Sequence, residues 1–266
     1  MHNIMTNNEK WQQLGWRHPF WDVLRYYRSI RGRTNSDAFY ERIVSCNDIL
    51  HDNKNFQVPR EVAEIFKEYF ETEQARYNFL EAQLRLEDEA LSYCVSSGFQ
   101  VGTTSTQSRD HHQSSKSMIA SVSGIAQRVC GSKGIQFDPD PQNRCVWIND
   151  NRLHVTSRNL DGAIPGLTNP EIIWEIKEYW GKTKGGSKMS DAVYECQLVG
   201  RELREYEEKC NKKIMHFVFL DGKDQWSHRK SDLKRFIDLW CQGLIDTLFV
   251  GKQVESLWEK TLEKLL

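Results

Sequence analysis

Apolar positions in the first third of the chain recur at helical spacing. Between Pro19 and Ile30, the residues Phe20, Trp21, Leu24, Tyr27 and Ile30 fall three and four apart, which predicts a helix with one buried stripe. Arg25, Arg28, Arg31 and Arg33 give that segment a basic flank. Ser36 is placed to cap a second helix carrying Phe39, Ile43 and Ile49. Pro59 opens a longer helix, Arg60 to Tyr93, with Val62, Ile65, Phe66, Tyr69 and Phe70 on one side and Leu80, Leu84 and Leu91 continuing it. Its many Glu and Arg residues suit a solvated opposite face. Residues 96–117 are polar and punctuated by glycine, a loop or junction.

Beyond the junction the period changes. Met118 to Val129 predicts a helix ended by Gly131. The runs at 145–148 and 153–157 are short strands around a turn at Asn149-Asp150-Asn151. Asp161-Gly162-Ala163-Ile164 follows, then a Pro/Gly turn and the apolar strand Ile172 to Ile176. A helix from Ser190 to Lys209, a strand at 214–220, a helix from Ser231 to Leu244, a strand at 246–251 and an amphipathic helix from Val254 to Leu266 complete the order. The pattern divides the chain into a helical region at 1–95, a junction at 96–117 and an α/β core at 118–266.

Composition adds limits. Hydrophobic residues make up 39% of 266 residues, enough for a packed interior. The formal net charge is −1, so any nucleic-acid surface must be a local concentration of cations. Seven cysteines are scattered at no zinc-cluster spacing, which suits reduced thiols in a cytoplasmic protein. No apolar run suits a signal peptide or a membrane span, so no membrane is expected among the partners.

The chemistry concentrates around Asp161, Glu175 and Lys177. Alternation on a strand puts Glu175 and Lys177 on one face, with Ile173, and sends Ile172, Trp174 and Ile176 to the other. A carboxylate and an ammonium inside an apolar strand are costly unless paired or bound to a metal. The Pro/Gly turn lets the preceding segment return alongside, bringing Asp161 near Glu175. Two adjacent carboxylates repel, and Mg²⁺ relieves that repulsion with one or two carboxylates, waters and phosphate oxygens as ligands. Such an ion acidifies an attacking water, and Lys177 can orient that water or stabilise the transition state.

With these residues in view, the segment from Asp161 to Lys177 resembles the active-site hairpin of the PD-(D/E)XK nucleases, a superfamily rich in type II restriction endonucleases. The order helix, three strands, helix, strand is similar to that family's common core, a central mixed sheet flanked by helices. The resemblance spans about residues 118–250 and implies metal ligation by Asp161, Glu175 and the backbone carbonyl of Ile176, with Lys177 as the catalytic lysine. Leu160 stands where the family name has proline. A literal Pro139-Asp140 lies two strands upstream in a turn, and Met118 to Val129 carries no acid that could serve a second metal.

Several neighbours suit contact with DNA. Lys182, Lys184 and Lys188 follow the lysine in a glycine-rich loop, and Arg109 and Lys116 lie in the junction with His111 and His112. Tyr194, Gln197 and Arg201 share a helical spacing, and Gln197 could orient a water or a phosphate. The resemblance thus implies a Mg²⁺-dependent type II restriction endonuclease, with Mn²⁺ able to substitute. It would cut double-stranded DNA as a homodimer, beside a cognate methyltransferase gene. A structure-specific repair, recombination or phage nuclease, and an inactive DNA-binding module of the same fold, are the other expectations.

Overall fold

The computed structural model describes residues 2–30, 32, 34–103, 114–149, 151–181 and 187–266. The chain forms two compact units, Met1–Phe79 and Leu80–Leu266. In the first, α1 (His2–Leu14), α2 (Phe20–Ile30), α3 (Ser36–Ser45) and most of α4 (Arg60–Glu81) enclose aromatic side chains. Trp11, Phe20, Trp21, Phe39, Phe66 and Tyr69 are buried there, and Trp11 meets Tyr69 edge to face at 5.2 Å. Asn35, one residue before the expected cap, accepts a 2.8 Å bond from the Ala38 N–H and starts α3. The helix expected to run through Ile49 stops at Ser45, and an antiparallel hairpin follows: β1 (Asp48–His51) and β2 (Lys54–Gln57). Its turn residues Asp52 and Asn53 have φ of 45° and 64°, the left-handed pair that a two-residue hairpin needs.

The second unit contains α5 (Glu87–Ser96), α6 (Ser117–Lys133), β3 (Arg144–Asn149), β4 (Arg152–Asn159), β5 (Gly162–Ile164), β6 (Ile172–Glu178), α7 (Ser187–Cys210) and β7 (Met215–Asp221). It closes with α8 (Lys223–Trp226), α9 (Lys230–Cys241), β8 (Thr247–Val250), a π-helical turn (Val254–Trp258) and α10 (Glu259–Leu265). The architecture is mixed α/β. A four-stranded sheet runs β5-β6-β7-β8, with β5 antiparallel to β6 and the other pairs parallel. β3 and β4 form a separate hairpin, tied back by bridges Asp138↔Ala163 and Val146↔Thr168.

The sheet is covered on both faces. One core joins Ile172, Trp174 and Ile176 to Val122 and Ile125 of α6 and to Trp258. The other joins Ile173 and Ala163 to Val199 and Leu203 of α7 and to Trp147 of β3. Gly162 is obligatory at the junction with β5, because a Cβ there would lie 1.9 Å from the Trp174 indole. That absent side chain lets Asp161 approach β6.

The expected single helix from Arg60 to Tyr93 is two helices, broken between Glu81 and Glu87. The break lets Arg85, fully buried, reach Asp221 at 2.7 Å and Glu255 at 2.7 Å. Residues 80–95, expected with the N-terminal helical region, therefore belong to the second unit. α6 runs past Gly131 to Gly134, whose φ of 66° provides the left-handed stop. All seven cysteines are free thiols, and no helix among the described residues is long and apolar enough to cross a membrane.

Candidate active site

The pairing of β5 with β6 sets Gly162 opposite Trp174, so the preceding Asp161 stands beside Glu175. Asp161 is anchored twice: its N–H donates to Trp174 O at 3.0 Å, and its Oδ2 accepts from the Ile176 N–H at 2.7 Å. A strand residue's N–H and C=O project from the same edge, so the Ile176 carbonyl also opens towards Asp161. Glu175 and Lys177 lie on the α7 face, as alternation requires, while Ile172, Trp174 and Ile176 fill the opposite core.

Glu175 is 1% exposed and Lys177 is 6% exposed, so neither charge is solvated by bulk water. Lys177 Nζ lies 3.0 Å from Glu175 Oε2 and donates to Glu195 Oε2 of α7 at 2.9 Å. Arg158 of β4 pairs with the same Glu195 oxygen, and its Nε stands 3.8 Å from Glu175 Oε2. From β7, fully buried His216 brings Nε2 to 3.4 Å from Glu175 Oε1. Its Nδ1 lies 3.0 Å from Leu244 O. A carbonyl can only accept, so Nδ1 donates to it, and Nε2 is the ring nitrogen that faces Glu175.

This environment biases the charges. Burial pushes Glu175 towards its neutral form, but Lys177, His216 and Arg158 overcome it and hold the carboxyl well below the usual range. Burial likewise opposes the Lys177 ammonium, and Glu175 more than compensates, so its pKa is raised. Asp161 shifts up, because burial outweighs its bond from Ile176 and the attraction of Lys177. Cys196, one residue from Glu195, is held well above its ordinary thiol value by burial and then by the Glu175 charge.

Arg158, Glu195 and His216 lie on three other elements and were not singled out in the sequence. The one local signal was His216 inside an otherwise apolar strand. Gln197 is two residues beyond Glu195 on α7, and residues so spaced do not share a helix face; the helix presents Glu195 to the cluster instead. Tyr194 is exposed, with the Arg235 guanidinium 4.5 Å from its ring centroid. Lys188 and Lys116 are exposed near the starts of α7 and α6. Lys182, Lys184, Arg109, His111 and His112 lie outside the described residues. The literal Pro139-Asp140 is exposed, with Asp140 N–H bonded to Asp138 Oδ1.

Among the described residues no three His, Cys, Asp or Glu side chains converge as a ready-made cage for a metal. A hard cation of the Mg²⁺ type needs less than that, one or two carboxylates completed by water and substrate oxygens. The buried Glu175 suits it, since neither of its carboxylate oxygens receives a hydrogen bond of acceptable geometry. Asp161 and the Ile176 carbonyl stand on the same side.

Comparison with known proteins places the chain in one family. The model described as "Domain of unknown function (DUF7687)" matches residues 59–265, from the start of α4 almost to the end, and the chain belongs to that family. No curated protein and no solved structure matches it.

Proposed function

We propose that this DUF7687 protein is a Mg²⁺-dependent endodeoxyribonuclease of the PD-(D/E)XK type, hydrolysing phosphodiester bonds in duplex DNA. The observation that carries this reading is the juxtaposition of Asp161, the residue before β5, with Glu175 of β6, and of Lys177 on the same face as Glu175. A surface Glu–Lys pair would not be buried beneath a helix, nor leave both carboxylate oxygens without a hydrogen bond. A buried carboxylate whose oxygens keep accepting capacity is expected where a site is built for a ligand.

Asp161, Glu175 and the Ile176 carbonyl would hold the cation, which when bound supplies an acidified water and neutralises charge on the phosphate. Lys177 keeps its ammonium because Glu175 raises its pKa, so it donates to the attacking water or to a phosphate oxygen without taking a proton away. Glu195 holds that ammonium in place at 2.9 Å. Sequence-specific restriction is the finer form of the proposal. Homodimerisation and a neighbouring methyltransferase gene belong to that form.

The test is digestion of unmodified plasmid with Mg²⁺ or Mn²⁺. Discrete, reproducible fragments are expected; cutting confined to junctions or ends would replace restriction with a structure-specific nuclease. Asp161→Asn keeps an acceptor for the Ile176 N–H but loses the charge. It should lower cleavage by about 100-fold or more, given the several kcal/mol of charge stabilisation at stake. Undiminished cleavage by folded Asp161→Asn would remove the site assignment.

A further inference from the structure

We propose that Arg158 is the clamp for the substrate phosphate, and that Glu195 occupies its guanidinium in the free protein. This inference rests on the nuclease reading above.

The site has a floor and a rim. The Glu175 and Lys177 side chains are 1% and 7% exposed, whereas those of Arg158 and Glu195 are 32% and 39% exposed. A phosphodiester is too bulky to reach the floor before it meets the rim, so Arg158 is the first cation of the cluster on its path. Arg158 stands in β4, three residues before Asp161, so the chain that delivers the guanidinium also delivers the acid.

The guanidinium is incompletely used. It meets Glu195 through Nη1, while its Nε is buried without a hydrogen bond and stays 3.8 Å from Glu175. A planar fork of donors with spare capacity matches the paired non-bridging oxygens of a phosphate. On the other side, a single Glu195 oxygen serves both Lys177 and Arg158. An anionic oxygen shared by two cations marks where a substrate oxygen would be held. The Glu195 carboxylate thus stands in for the phosphate, and substrate entry exchanges one anion for another at Arg158 while Glu195 retains Lys177.

The charge balance makes that exchange depend on the metal. Asp161, Glu175 and Glu195 bring three carboxyl groups to the place a phosphodiester would enter. A divalent cation held by Asp161 and Glu175 would offset that negative charge and favour the phosphate.

The experiment is duplex DNA binding by fluorescence anisotropy, with Ca²⁺ replacing Mg²⁺ to hold off cleavage, on the full chain. Arg158→Ala should weaken binding by about tenfold, the scale of one charge-assisted contact, and Arg158→Lys by less. Glu195→Gln should tighten binding by roughly 3- to 10-fold by releasing the guanidinium, yet slow cleavage with Mg²⁺ because Lys177 loses a charged partner. The double variant Arg158→Ala/Glu195→Gln should bind like Arg158→Ala alone. Equal tightening in both backgrounds would mean a general charge effect and overturn the clamp, as would wild-type affinity in folded Arg158→Ala. Wild-type protein that binds no DNA would instead overturn the nuclease reading.

Discussion

Lys177 and Glu175 are each other's main support at the centre of the second unit. Removing one member of such a pair leaves a charge buried without compensation. Lys177→Ala should therefore cost about 3–5 kcal/mol by urea unfolding, and the near-isosteric pair Lys177→Met/Glu175→Gln should recover most of that loss. A cost below about 1 kcal/mol would mean water reaches the pair. Glu178, the next residue along, behaves in the opposite sense. Burial pushes its carboxyl up to about 7, against bonds from the Met118 N–H at 2.9 Å and Trp180 Nε1 at 3.0 Å. Its folded value lies above the unfolded one, so the folded state binds the proton more tightly. Its contribution to stability is full below pH 4.5 and is lost as pH rises to about 7. Glu178→Gln can accept the same bonds without ionising, and should flatten that slope and stabilise the protein at pH 8 by on the order of 1–2 kcal/mol. An unchanged stability-versus-pH curve would exclude Glu178 as its source. The shared face of Glu175 and Lys177 and the approach of Asp161 were legible because strand alternation and a Gly/Pro return are local rules. Arg158, Glu195 and His216 were not, since each reaches the cluster from another element and tertiary folding alone brings them there.

Most elements of the second unit were legible from apolar period, and each failure has its own physical cause. The α4–α5 break has no proline or glycine to mark it; helical propensity yields there to the buried pairing of Arg85 with Asp221 and Glu255. Arg85 N–H also donates to Asp221 Oδ1 at 2.9 Å, fixing the backbone of the break to the end of β7. Arg85→Met should cost about 3–5 kcal/mol, because it strands the Asp221 carboxylate, whose side chain is 0% exposed. Adding Asp221→Asn in the same chain should return part of that loss. If the double variant is no better than the single one, packing of the break rather than charge sets the cost. The β1–β2 hairpin of the first unit has a different cause: Asp52-Asn53 supplies left-handed residues without glycine, between strands poor in β-branched side chains.

At the scale of the whole molecule, a net charge of −1 and a match to a family without described function leave the cation as the discriminating ligand. A metal that binds only the folded state raises its stability by RT ln(1 + [L]/Kd), about 1.4 kcal/mol at tenfold excess over Kd. For a protein of this size that corresponds to a rise of roughly 3–5 °C in the melting temperature of the unit that carries the site. Mg²⁺ or Mn²⁺ should produce that rise in wild-type protein without DNA, because Asp161 and Glu175 already stand side by side where β5 meets β6. The gain should vanish in Asp161→Asn/Glu175→Gln, where both charges are gone. Arg158→Ala should keep it, since Arg158 is assigned to the phosphate rather than to the metal. A shift of equal size in the charge-neutralised variant would place the cation elsewhere on the protein. The buried carboxylate would then be a structural partner of Lys177 and His216 alone.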